Sequence, residues 1–300
     1  MRGSPRDGES AEKNGIGNTD SICPLQDEVW LKAKQTAYVQ NFTNSPDTKA
    51  LLAELTKNCG ETIDIDNLYV VTQGLYCQQI WFNDTLRKVN PWFTEDLYNR
   101  ADKCNDQVQL FQNGIFPAPN IVNGVDLGLT LKKIRGGSMV NDMNMHMNLK
   151  LSCQGDSSLK CKWINNLNYY VYSAHDTTLY AFFSALGVEE YAVKPGGYPL
   201  YSAASLIELY VDTVDKKPYF KMLYHADQNS NVTVITQGID GCPTNSDFCP
   251  LSVFQKFADL TKPDHPIQQW CFEKLDQSSK SGLHYLFAFI PMLTFLVLQH

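Results

Sequence analysis

Nine cysteines distributed over 300 residues restrict this chain more than any other feature of its sequence. Zinc modules need closely spaced C-x2–4-C pairs, and none occurs. Cys153 with Cys161, and Cys242 with Cys249, are instead spaced to staple short surface loops. Gly241, Pro243 and Pro250 around the second pair are residues of tight turns. Such crosslinks persist in oxidising compartments. Three sequons agree: Asn41-Phe42-Thr43, Asn83-Asp84-Thr85 and Asn231-Val232-Thr233, with Asn41, Asn83 and Asn231 as glycan acceptors.

The two ends of the chain bear on the same question. The opening, Met1-Arg2-Gly3-Ser4-Pro5-Arg6-Asp7-Gly8, is polar where an export signal would be apolar. Near the far end, residues 283–298 form an almost uncharged apolar run after Ser278-Ser279-Lys280-Ser281-Gly282. That run is short for a span of about 20 residues but fits the ~10–20 residue tail of a lipid-anchor signal. Membrane attachment through 283–298 is expected, with anchor and transmembrane helix both open. The cysteines and sequons outweigh the polar opening, so the expected location is the secretory pathway, lysosomal or at the cell surface. Nucleic acid is not an expected partner, because the net charge is −7 and only five arginines occur. No metal site or organic cofactor is indicated.

Hydrophobic periodicity divides the chain further. Residues 1–20 are poor in apolar residues and read as a disordered leader. One domain is expected over 21–276, mainly helical over 24–120 and α/β over 121–276. Leu68 to Phe82 is apolar enough for a buried helix, and Thr94-Glu95-Asp96 opens another. Val125 to Leu149 reads as one long helix, with Gly136-Gly137 marking close packing. Tyr169 to Ser173 is β-rich, and Thr177 to Leu186 is helical. Leu206–Val211 and Tyr219–Tyr224 flank Asp215-Lys216-Lys217-Pro218 as a hairpin, with a third strand near Val232–Thr236. A last helix covers Leu251–Leu260.

Chemistry concentrates at Tyr172-Ser173-Ala174-His175-Asp176-Thr177-Thr178-Leu179. An apolar strand ending at His175 and a helix opening at Asp176 put an imidazole and a carboxyl at a strand's carboxyl end, where α/β sheets bind ligands. The helix adds free amides and a positive dipole end, which suit phosphate. The histidine can donate to a phosphate oxygen and the aspartic acid can protonate a leaving alkoxide. The alternative is structural: Asp176 caps the helix and His175 is an incidental surface residue.

This octapeptide resembles the His-Asp motif of the histidine acid phosphatases. Leu131-Lys132-Lys133-Ile134-Arg135-Gly136-Gly137 with Val140-Asn141, Leu75-Tyr76-Cys77, Leu206-Ile207-Glu208-Leu209-Tyr210 and Gly241-Cys242-Pro243 through Cys249-Pro250-Leu251 follow in that family's order, extending the likeness from about Ser21 to Glu273. The resemblance implies a histidine-phosphatase-like α/β sheet with a helical second domain. It implies hydrolysis of phosphate monoesters through a phosphohistidine. His175 then contacts the substrate's phosphate and Asp176 is the catalytic proton donor, with a small phosphomonoester or inorganic phosphate as ligand. A homodimer is a family expectation. The resemblance also implies the disulfides Cys23–Cys271 and Cys242–Cys249. Cys77 matches a half-cystine whose usual partner falls near Ala204, so Cys59 or Cys104 could adopt it, with Cys104 alternatively a buried helix residue.

One part of the family pattern does not occur. The nucleophile belongs to an Arg-His-Gly-x-Arg-x-Pro motif, and none of His146, His175, His225, His265, His284 and His300 is followed by glycine. Arg2-Gly3-Ser4-Pro5-Arg6 is a superficial likeness without the histidine. Arg87, Arg100 and Arg135 do not fall where the family's phosphate arginines lie. The chain therefore resembles the carboxyl-terminal part, about two thirds, of such an enzyme, lacking the first strand and the nucleophile segment. Two readings follow: an acid phosphatase whose written chain is incomplete and inactive as it stands, or a non-catalytic membrane-attached glycoprotein that still binds anions.

Overall fold

Local signals start and stop the first helices. The computed structural model describes residues 21–83, 85–193 and 197–275. Proline opens α1 (Pro24–Lys34), and α2 (Ala37–Thr43) follows a short turn. The Ser45 hydroxyl accepts from the Thr48 amide to cap α3 (Pro46–Cys59), which stops at Gly60 in a left-handed conformation, φ 77°. After α4 (Leu68–Trp81) and α5 (Thr85–Val89), the Thr94 hydroxyl caps α6 (Glu95–Gln112) at the Leu97 amide. Leu51, Leu55, Ile63, Leu68, Leu97 and Ala101 form the core of this helical block.

A two-residue ribbon, β1 (Ile121–Val122) with β2 (Val125–Asp126), leads into α7 (Leu127–Lys132). The chain widens to a π-turn over Lys133–Gly137 and continues as α8 (Ser138–Ser152). The expected long helix is thus present, displaced to 127–152. Its glycines sit at backbone contacts. A Cβ on Gly136 would lie 2.2 Å from the Ala181 carbonyl oxygen, and one on Gly137 would lie 2.0 Å from that of Thr261.

Beyond α9 (Leu159–Asn165) come α10 (Asp176–Leu186) and α11 (Glu189–Ala192). The hairpin is β3 (Ala204–Val211) against β4 (Pro218–His225), antiparallel in register Ala204↔His225 to Val211↔Pro218. Strand β5 (Thr233–Val234) and β6 (Cys249–Pro250) also pair with β4. Alternate residues Phe220, Met222 and Tyr224 point inward onto Phe182, Phe183 and Leu186 of α10 and onto Phe254 and Ala258 of α12 (Leu251–Thr261). Each such burial contributes about 1.5–3 kcal/mol of transfer free energy. A third cluster joins the ends of the described chain: Leu25 and Val29 of α1 meet Leu131, Ile134 and Trp270, the last on α13 (Ile267–Trp270), beside the Cys23–Cys271 disulfide.

Three expectations need correction. Leu68–Phe82 is helical but not buried: Leu68 and Thr72 are enclosed, whereas Tyr69, Val70, Ile80, Trp81 and Phe82 face outward. The composition was that of a core helix, but only one face of α4 meets α6. Tyr169–Ser173 forms no strand among the described residues, and Tyr169, Tyr170 and Val171 are exposed. β-propensity marks residues suited to a sheet and cannot supply the neighbour that a ladder requires. Cys77 forms no disulfide: Cys59 and Cys77 are exposed free thiols, and Cys104 is a buried one. The disulfides Cys153–Cys161 and Cys242–Cys249 are formed. Asn41, Asn83 and Asn231 are all exposed. The leader over 1–20 and the apolar run over 283–298 lie outside the described residues; within them, no helix is long and apolar enough to cross a membrane.

Candidate functional site

Helix α10 is held firmly, and the candidate residues His175 and Asp176 sit at its first turn. Tyr180, Phe182, Phe183 and Leu186 are buried along it, and the Ser184 hydroxyl donates to the Asn113 carbonyl at 2.7 Å. Gly136 lets the π-turn reach the helix backbone at Ala181. Gly187, in a left-handed conformation at φ 65°, ends the helix. At the other end His175 is the N-cap, with extended backbone, φ −96° and ψ 166°, and an exposed side chain. Its carbonyl accepts from the Leu179 amide at 3.1 Å. Asp176 follows, half-buried, with Oδ1 accepting from the Thr177 amide at 2.7 Å. The Thr177 hydroxyl is buried with no hydrogen-bond partner among the described residues. Imidazole, carboxyl and the open amides of a helix start thus share one turn.

A wall of tyrosines and carboxyls stands near this turn. Tyr201 stacks on Tyr76 of α4 at 5.0 Å and 5°, and Tyr76 continues onto Tyr98 of α6 at 6.3 Å. The Cys77 Sγ lies 3.8 Å from the Tyr201 hydroxyl. Burial raises the Tyr201 pKa to about 12, assisted by Cys77 and by the negative charge of Asp176. Along α6, Tyr98, Asp102 and Asp106 recur at helical spacing and so share a face. Burial pushes the Asp106 carboxyl up to about 7, the charge on Asp102 adding to it, and burial raises Asp102 as well. Asp106 also acts on Tyr180 of α10, where burial is the larger cause of a raised pKa. This wall therefore holds protons at pH values where ordinary carboxyls have lost them.

The three described arginines are engaged with other groups. Arg87 meets Gln79 at 3.2 Å and Glu95 at 3.7 Å, and Arg100 joins Glu54 at 3.1 Å and Asp96 at 2.9 Å. The Arg135 Nε donates to Asn113 Oδ1 at 3.0 Å from within the buried π-turn. Among the described residues, no group of three His, Cys, Asp or Glu side chains is arranged to hold a metal ion.

Comparison with known proteins now decides the family. The model of the histidine phosphatase superfamily, branch 2, matches residues 6–225. The chain belongs to the histidine phosphatase superfamily. Putative acid phosphatase 10 of Caenorhabditis elegans is 34% identical over 211 residues, covering 70% of this chain and 51% of that protein. Putative acid phosphatase 11 of the same organism is 30% identical with the same coverage. Human prostatic acid phosphatase is 29% identical over 212 residues, covering 71% of this chain and 45% of that protein. The chain spans about half the length of the curated relatives it matches.

Within this histidine phosphatase fold, His175 and Asp176 are adjacent at the strand-less approach to α10. Sequence reasoning missed Tyr76, Tyr98, Asp102, Asp106 and Tyr201. A signal existed on α6, since Tyr98, Asp102 and Asp106 lie four residues apart, but that pattern equally describes a solvated polar face.

Proposed function

We propose that this chain carries the phosphate-contact and proton-donor half of a phosphomonoester-hydrolysing site. His175 donates a hydrogen bond to a phosphate oxygen. As the ester P–O bond breaks, protonated Asp176 passes its proton to the leaving alkoxide, and the phosphoryl group goes to a histidine of an Arg-His-Gly segment that the 300 residues do not contain. The observation that carries this reading is the exposed His175 at the N-cap of α10 beside Asp176, in a chain of this superfamily. The orphan Thr177 hydroxyl and the first amides of α10 support an oxyanion ligand there. The ligand is a small phosphomonoester or inorganic phosphate.

Three disulfides and three exposed sequon asparagines support an oxidising, secretory setting. Membrane attachment through 283–298 and a homodimer complete the proposal. Enzymatic removal of N-glycans from secretory-expressed protein should increase its gel mobility.

The test is phosphate binding and turnover on the same preparation. Inorganic phosphate should bind the full chain and lose affinity in His175→Ala. An aryl phosphate at acidic pH should be hydrolysed no faster than in buffer. Turnover that depends on His175 and Asp176 would refute the missing nucleophile. A second reading is a non-catalytic glycoprotein that only binds anions. An upstream exon encoding Arg-His-Gly in the native message would eliminate it.

A further inference from the structure

We propose that one face of α8, formed by Asp142, His146 and Lys150, is a clamp that positions the His175–Asp176 turn by gripping the segment that leads into it. The three residues recur every fourth position and so lie on one side of the helix. Opposite them run residues 166–175, which lie in neither helix nor strand among the described residues and which the α8 side chains contact directly.

The contacts progress along both partners. Lys150 Nζ donates to the carbonyl oxygens of Ile164 at 2.8 Å, Asn165 at 2.9 Å and Leu167 at 2.9 Å, using all three ammonium protons at the end of α9. One turn earlier, the His146 ring lies 4.7 Å from Tyr170. Its Nδ1 is 3.3 Å from both the Tyr172 hydroxyl and Asp142 Oδ2. One turn earlier again, the Tyr172 hydroxyl donates to Asp142 Oδ2 at 2.5 Å. Burial, reinforced by Asp142, holds the Tyr172 pKa far above its ordinary value, so this phenol remains a donor. With Nδ1 protonated, His146 donates to the same carboxylate, which serves as the hub. The Cys153–Cys161 disulfide closes the connection between α8 and α9 and keeps the two partners together.

The geometry extends to the site because Tyr172 is three residues from His175, at most about 11 Å of extended chain. Asp176 is fixed by its helix, but His175 takes its position from whatever fixes the preceding backbone. Asp142 and His146 are positioning residues acting through Tyr172.

The inference rests on the reading that the turn binds phosphate, and the test separates the two. Inorganic phosphate is titrated into the full chain while the His175 ring resonance is followed, and hydrogen exchange is measured over 166–178. Tyr172→Phe keeps the ring and deletes the donor. It should weaken phosphate binding about tenfold and speed exchange within 166–178 only. Asp142→Asn should act similarly, and the double variant should be little worse than either single one, because both remove one interaction. Leu55→Ala destabilises the helical block without touching α8, and should leave phosphate affinity unchanged. If Tyr172→Phe lowers stability but leaves affinity, the His175 resonance and local exchange unaltered, the clamp is refuted. If wild-type protein binds no phosphate, the site reading fails, and the His175 resonance and local exchange alone decide the clamp. Should Tyr172→Phe not fold, Lys150→Met is judged by the same measurements.

Discussion

Replacing Asp106 by asparagine tests whether the carboxyl wall beside α10 holds protons near neutral pH. In the unfolded chain this carboxyl titrates near 3.8, whereas in the fold burial and the neighbouring Asp102 charge raise it to about 7. The folded state therefore binds more protons than the unfolded state between those two values. Stability contributed by this group is present below about 4, falls as pH rises, and is lost above about 7. A displacement of this size corresponds to on the order of 4 kcal/mol, at 1.36 kcal/mol per pH unit. Asparagine is close in shape to the protonated acid and cannot ionise. Asp106→Asn should thus be nearly neutral at pH 4 and stabilising by on the order of 4 kcal/mol at pH 8. Urea unfolding followed by circular dichroism at both pH values measures this directly. An equal effect at the two pH values, or a loss at pH 8, would refute the argument. The same variant should bind phosphate more tightly at pH 8, since one negative charge near Asp176 is gone.

Other perturbations address the scaffold and the thiols. Gly136→Ala places a methyl 2.2 Å from the Ala181 carbonyl oxygen, forcing α10 off the π-turn; a loss of about 3 kcal/mol in thermal unfolding is expected. The Cys23–Cys271 disulfide spans 248 residues, so replacing both cysteines by serine should cost on the order of 5 kcal/mol in denaturant unfolding. A thiol reagent should modify Cys59 and Cys77 rapidly in native protein, as counted by mass spectrometry. Cys104, whose burial raises its thiol pKa to about 11, should react only on unfolding.

Much of this arrangement was readable from residues, and the exceptions share a cause. Thr94 announces the start of α6 through its own hydrogen bond, so that boundary follows locally. The Gly136-Gly137 pair predicted a close contact, though not that its partners would be the backbones at Ala181 and Thr261. The hairpin was legible because Pro218 and the polar turn before it separate two apolar, β-rich runs. The disulfide and hairpin partners were found, and what failed were the burial expected of α4 and the strand expected at Tyr169–Ser173. The apolar α4 and the β-rich Tyr169–Ser173 were read as interior from composition, yet burial depends on what else packs there. The His175–Asp176 turn was found because its residues are consecutive. The wall of Tyr76, Tyr98, Asp106 and Tyr201 was missed because it gathers side chains from α4, α6 and the approach to β3.

The site joins two kinds of order within two residues. Asp176 belongs to α10, fixed by the Gly136 contact, the Ser184 hydrogen bond and a buried aromatic face, so its position varies only if the helix moves. His175 ends a segment without ladder hydrogen bonds and depends on side-chain contacts that begin at Tyr172. If Asp176 is the proton donor proposed above, its rigid placement suits a step whose distance tolerance is a few tenths of an ångström. An imidazole on a more adaptable backbone suits a group that must follow a phosphate oxygen as the ester bond lengthens. The division predicts opposite sensitivities: substitutions beneath α10 should lower stability and affinity together, whereas substitutions at the α8 clamp should lower affinity with little change in global unfolding.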